Sequence, residues 1–237
     1  MRRHPLITRL WHWANFAVIT VLLMSGLMIF NAHPRLYWGH YGANFDPAWL
    51  NLSHINKGVP FPGWITIPSH YSLSDARLWH LAFAWLLALT FTVYLGWALA
   101  RGHARRDLTP RLAELRPAQL WHHIVMHAKL RLPTGAAALH YNVLQKLAYG
   151  GVLFVLLPGM ILTGLAMAPG MNAAAPWLPD LLGGRQSARS LHFLFTFALL
   201  AFFIVHIIMV VLAGPLNELR SMITGWYRLP ADREDQP

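Results

Sequence analysis

Long apolar runs alternate along this chain with polar connections rich in proline and glycine. Four runs dominate it, over about residues 11–30, 78–100, 147–168 and 190–211. Each is close to the ~20 residues that an α-helix needs to cross a bilayer. The pattern therefore predicts an all-α membrane protein built as a four-transmembrane-helix bundle, with long connections over 31–76 and 101–146. The last run, Ser190 to Val211, lacks Asp, Glu, Lys and Arg but contains His192 and His206. Fourteen residues separate them, close to four helical turns and a rise of ~21 Å, so both imidazoles leave one face near opposite ends of the helix. An ionisable side chain at membrane depth is costly and usually marks function.

Four crossings put both termini on one side. Arg2, Arg3 and Arg9 precede the first run, and Arg101, Arg105, Arg106, Arg111, Arg116, Lys129, Arg131 and Lys146 follow the second. The other two connections hold only Arg35, Lys57 and Arg185. By the positive-inside rule the richly basic side, with both termini, is cytoplasmic. Residues 1–225 then form one membrane domain and 226–237 a cytoplasmic tail. The first run is long and lacks a small-residue cleavage site, so it is expected to be a retained helix and not a removed signal.

With these directions set, His12 lies near the inner end of the first helix and His80 near the outer end of the second. Depth pairs His12 with His206 and His80 with His192, and each pair could hold an iron porphyrin. A lone membrane histidine can also simply hydrogen-bond a neighbouring helix; it is the matched set of four that favours haem.

Composition changes this picture in three ways. At 56% hydrophobic and 12% charged residues, with a mean hydropathy of +0.39, the chain is no ordinary soluble domain. Its net charge of +10 collects at the cytoplasmic edge, where membrane lipid of negative charge accounts for it and nucleic acid is not expected. Cysteine is absent, which excludes disulfides, iron–sulfur ligation by this chain and covalent c-type haem, so any haem is held non-covalently.

An arginine stands three residues before three of the histidines: Arg9, Arg77 and Arg189. It shares the histidine's helix face one turn nearer the surface, where it could pair with haem propionates or snorkel to lipid headgroups. Gly26 and Gly164, in like surroundings (SGLM and TGLA), fall at the outer level and Gly96 at the inner. They could admit a flat macrocycle or serve plain helix packing. The aromatic loop 31–76 could mark the interface or dock an extramembrane subunit. Residues 118–132 read as an amphipathic surface helix, with His123 and His127 on a solvated face. His140, Tyr141, Asn142 and Gln145 gather at the mouth of the third helix, where they could bond a quinone head group or satisfy helix ends.

The four histidines, the fourteen-residue spacing and the fragments RLWHW (9–13), YNVLQKLAY (141–149) and TGLAM (163–167) together resemble the di-haem cytochrome b membrane subunits of bacterial nickel-iron hydrogenases, formate dehydrogenases and thiosulfate reductases. The resemblance runs from Arg9 to about Gly225. It implies a multi-pass protein of the bacterial inner membrane with two haem b groups, the inner on His12 and His206 and the outer on His80 and His192. It implies a quinone site near the inner haem, with Asn15, Tyr141, Asn142, Gln145 and Asn217 in view, and a periplasmic redox partner, of molybdenum-enzyme type, docking on loop 31–76. The expected function is transmembrane electron transfer between the quinone pool and that partner. Two rivals are a histidine-dependent small transporter or metal-ion channel and a non-redox membrane anchor. The lack of acidic residues within the apolar runs counts against the first.

Overall fold

A computed structural model describes residues 1–128 and 141–228. His140 and the tail beyond residue 228 lie outside the described residues, as does the end of the expected surface helix. Four helical stretches are long and apolar enough to cross a membrane. They are α1 (Leu6–Asn31), α2 (Leu73–Ala100), the stretch Val143–Met167 and a last helix over Arg185–Ala213. Each begins before the apolar run that announced it. No proline or glycine interrupts the polar residues leading into those runs, so the helical hydrogen bonding simply starts earlier.

Between α2 and the third crossing, α3 spans Pro117–Ala128. The third crossing is composite. An α-helical piece, α4 (Val143–Gly151), passes through a π-helical turn at Val152–Leu156 into α5 (Leu157–Met167). Pro158 supplies the cause: it has no N–H to give the carbonyl of Phe154, and its ring crowds that carbonyl, so the ladder widens just before it. Two short helices follow, α6 (Pro169–Ala174) and α7 (Trp177–Leu181), before α8 (Arg185–Ala213). Gly214, at φ 102°, and Pro215 end α8 and open α9 (Pro215–Thr224).

Contacts gather the chain into two compact units. One comprises Met1–Trp13, Thr92–Val155 and the chain from Leu200 onward. There the N-terminal strand-like segment is tied to the turn after α9. The Arg3 amide bonds Gly225 O at 2.9 Å, the Arg3 guanidinium pairs with Glu218 at 2.8 Å and lies 4.8 Å over the Tyr227 ring, and Trp13 Nε1 bonds Met222 O at 3.1 Å. Trp11 stacks on Tyr94 with ring centres 3.9 Å apart. His4 is buried in this unit, and burial, with Arg3 beside it, lowers its pKa to about 4.

The second unit comprises Ala14–Phe91 and Leu156–Leu199. Its long loop is held to the first turns of α8 by directed bonds. Ser190 Oγ donates to Tyr37 O at 2.6 Å and accepts Trp49 Nε1–H at 2.9 Å, while Ser187 Oγ accepts the Gly39 amide at 2.8 Å. These bonds satisfy loop backbone that would otherwise go unpaired at a helix end. A two-stranded ladder, β1 (Arg35–Leu36) with β2 (Leu50–Asn51), closes the loop on itself. Ala166, Leu178 and Ala188 form a small core beneath α7.

Candidate haem sites

Within the second unit, α2 presents His80 and α8 presents His192 with ring centres 6.2 Å apart and planes at 64°. Within the first, His12 of α1 and His206 of α8 stand 6.3 Å apart at 59°. Two imidazoles on opposite sides of one metal, each bonded at about 2.0 Å with its ring centre about 1.1 Å beyond the nitrogen, come to about 6.2 Å between centres. A direct N–H···N bond would draw two such rings to about 5 Å. Both pairs fit an iron held between imidazoles, and so both donor sets suit non-covalent b-type haem.

Each imidazole of the pair in the second unit has a hydroxyl at Nδ1. His80 Nδ1 lies 3.0 Å from Ser25 Oγ and His192 Nδ1 lies 2.8 Å from Thr163 Oγ1. Both hydroxyl residues are fully buried. The next residue in each case is a glycine against the same ring: a Cβ on Gly26 would meet His80 Cε1 at 3.3 Å and one on Gly164 would meet His192 Cε1 at 3.5 Å. What these glycines admit to the helix backbone is therefore the imidazole itself. Gly96, by contrast, faces open space.

The first unit is furnished differently. His12 Nδ1 is buried with no hydrogen-bond partner among the described residues. The Phe202 ring lies parallel to His206 at 5.8 Å, and Tyr149 meets the same imidazole edge-on at 6.4 Å. Tyr141 packs against Tyr149 at 5.2 Å, and burial together with Tyr149 raises the Tyr141 phenol above its ordinary pKa. In the second unit, Asn15 is buried with neither amide atom partnered among the described residues. A buried amide left open in this way is expensive unless a bound group completes it.

Several residues singled out in the sequence have local duties. Asn142 and Gln145 form the reciprocal cap of α4, each side chain accepting the other's amide at 3.0 Å, so they serve the helix end. Both groups of the Asn217 amide bond the main chain of Arg228. Of the three arginines, Arg9 donates to Ile223 O at 2.9 Å, and Arg189 donates to the carbonyls of His33 and Arg35 at 2.5 and 3.1 Å. Arg77 is exposed, and among the described residues its guanidinium has no hydrogen-bond partner. Among the described residues no group of three or more His, Cys, Asp or Glu could hold a metal ion, and His123 on α3 belongs to none.

Ser25, Thr163 and Tyr149 were not among the residues expected at the sites. The signal for the first two was present as a hydroxyl residue followed by glycine, in Ser25-Gly26 and Thr163-Gly164. Sequence could not say which nitrogen they face.

Comparison with known proteins places the whole chain in a family. A relative from Azospira oryzae, named as a candidate protein-methionine-sulfoxide reductase subunit YedZ1, is 30% identical over 94% of this chain and 96% of its own length. Two proteins named as probable Ni/Fe-hydrogenase B-type cytochrome subunits are each 25% identical. The one from Azotobacter vinelandii is matched over 96% of this chain and 88% of its own, and the one from Cupriavidus necator over 92% and 83%. No solved structure matches significantly. The model of the prokaryotic cytochrome b561 family covers residues 3–225, which takes in both histidine pairs and all four apolar helices; the chain belongs to that family of multi-pass membrane cytochromes, and a cytochrome b implies b-type haem.

Proposed function

We propose that this cytochrome carries two b haems, one between His12 and His206 and one between His80 and His192, and passes electrons across the bacterial inner membrane between the quinone pool and a periplasmic redox partner. The observation that carries the reading is the equality of the two ring separations, 6.3 and 6.2 Å, each at the span that a metal between two imidazoles demands. Haem supplies a one-electron couple when bound. The chain supplies the axial imidazoles, an apolar shell of low dielectric and, through α8, a continuous helix that carries one histidine of each pair. With a histidine on each side, neither iron keeps an open position for small-molecule chemistry.

Quinone then reacts beside the His12/His206 pair. Within that unit Tyr141 is its candidate contact, because Asn142, Gln145 and Asn217 are engaged with main chain. Arg77 is the candidate propionate partner. The periplasmic partner docks on loop 31–76, where Tyr41, Phe45 and Trp64 are exposed. The basic segments are cytoplasmic and carry both termini with them.

The test is haem content of the purified protein, counted by the pyridine haemochrome method, with oxidised and dithionite-reduced spectra. The expected result is two low-spin, non-covalent haems per chain, falling to one when His192→Ala removes an axial ligand. No haem in protein grown with ample haem supply, or two haems retained by the variant with full quinone-coupled electron flow, would reject the assignment.

A further inference from the structure

A neutral imidazole carries one proton, so a ring that gives one nitrogen to a metal must hold its proton on the other. A hydroxyl also has one proton, and where that proton goes decides what the oxygen can do for a neighbour. Ser25 Oγ directs its proton to the carbonyl of Val21, four residues back in α1, at 2.7 Å. Thr163 Oγ1 does the same toward Gly159 at 2.6 Å. With the donor engaged, each oxygen faces Nδ1 only as an acceptor. Both rings are thereby held as the Nδ1–H tautomer, with the lone pair on Nε2. The glycine after each hydroxyl lets the ring approach closely enough to make the bond, since a Cβ there would press on Cε1.

We propose that Ser25 and Thr163 are a matched pair of positioning residues that fix the ligating nitrogen of His80 and His192 and strengthen it as a donor. This rests on the assignment of a haem to that pair. A hydrogen bond accepted from Nδ1–H pushes electron density toward Nε2, which favours the oxidised iron and lowers its potential. Among the described residues the His12/His206 pair has no equivalent at His12, whose Nδ1 is buried without a partner there. The device therefore acts on one haem of the two.

The test is a redox titration of the purified full-length protein, followed in the haem bands, with the low-spin g values of the oxidised state and haem content measured alongside. Thr163→Val keeps the shape and removes the hydroxyl, Thr163→Ser restores it, and Ser25→Ala removes the other. Thr163→Val and Ser25→Ala are each expected to move one redox component to a more positive potential and leave the other in place. Because His80 and His192 share one iron, the component moved is the same in both variants. Thr163→Ser keeps the original potential and g values. Loss of one haem in Thr163→Val that Thr163→Ser reverses would support the proposal equally. Two retained haems with unmoved potentials would overturn it alone, as would two variants that move different components, or equal loss in Val and Ser. Absence of haem from the unaltered protein would overturn the underlying assignment as well, and is distinguishable because it precedes any substitution.

Discussion

At the scale of single residues, His80 and His192 each set Nδ1 against a buried hydroxyl, at 3.0 Å from Ser25 and 2.8 Å from Thr163. The pairing of His12 with His206 and of His80 with His192 could be read because an ionisable ring in an apolar run is conspicuous and because helix rise converts spacing into depth. Ser25 and Thr163 could not, since a hydroxyl within an apolar helix satisfies itself on the carbonyl four residues back and leaves no unpaired group to betray a role. Gly26 was legible as a site of close approach, but what approaches is a ring from α2, which local sequence does not specify. Its consequence can be measured. Gly26→Val would set a branched side chain where a Cβ already meets His80 Cε1 at 3.3 Å, and overpacking of this kind forces neighbouring side chains to shift. The imidazole must move off Ser25, and one haem is expected to be lost or to dissociate faster than in Gly26→Ala. Equal haem retention in the two variants would show that the ring has room to give.

At the scale of elements, periodicity and length located all four apolar helices but misjudged their beginnings. Polar residues such as those at Leu73–Arg77 continue the helix outward from the apolar run, and hydropathy registers them only as loop. The π-helical turn in the third crossing follows from Pro158, although a proline in a helix predicts a disturbance without its form. Asn142 and Gln145 show the hazard of reading polar clusters at helix mouths as ligand contacts, because the first turn of a helix needs its own acceptors. Replacing Asn142 with Ala should therefore cost about 1 kcal/mol of stability and lower the thermal midpoint in detergent. Quinone affinity should stay unchanged, as judged by quinol-dependent haem reduction. A large rise in the quinol concentration needed, with no change in midpoint, would return Asn142 to the quinone site.

At the scale of the whole molecule, the decisive feature is that one helix, α8, contributes a histidine to each pair, so that under the proposed function a single element supplies a ligand to each haem. Covalent continuity does not make the two pairs equivalent. The His80/His192 pair is braced by two hydroxyl–glycine dipeptides, whereas the His12/His206 pair is bordered by the rings of Tyr149, Phe202 and Trp13. An arrangement of this kind predicts separable failures. In His206→Ala the haem beside Tyr149 should be lost while the other is retained, because its imidazoles, hydroxyls and glycines all lie in the other unit. The remaining haem should still be reduced by dithionite and reoxidised by a soluble acceptor, yet quinol should no longer reduce it. His192→Ala should give the opposite result, with quinol reducing the surviving haem and transfer to the acceptor side broken. Membrane vesicles with quinol on one side and a membrane-impermeant acceptor on the other would read both arms. If quinol reduced the surviving haem in both variants at the unaltered rate, the pairs would not act in series, and the proposed transfer from one pair to the other would have to be abandoned.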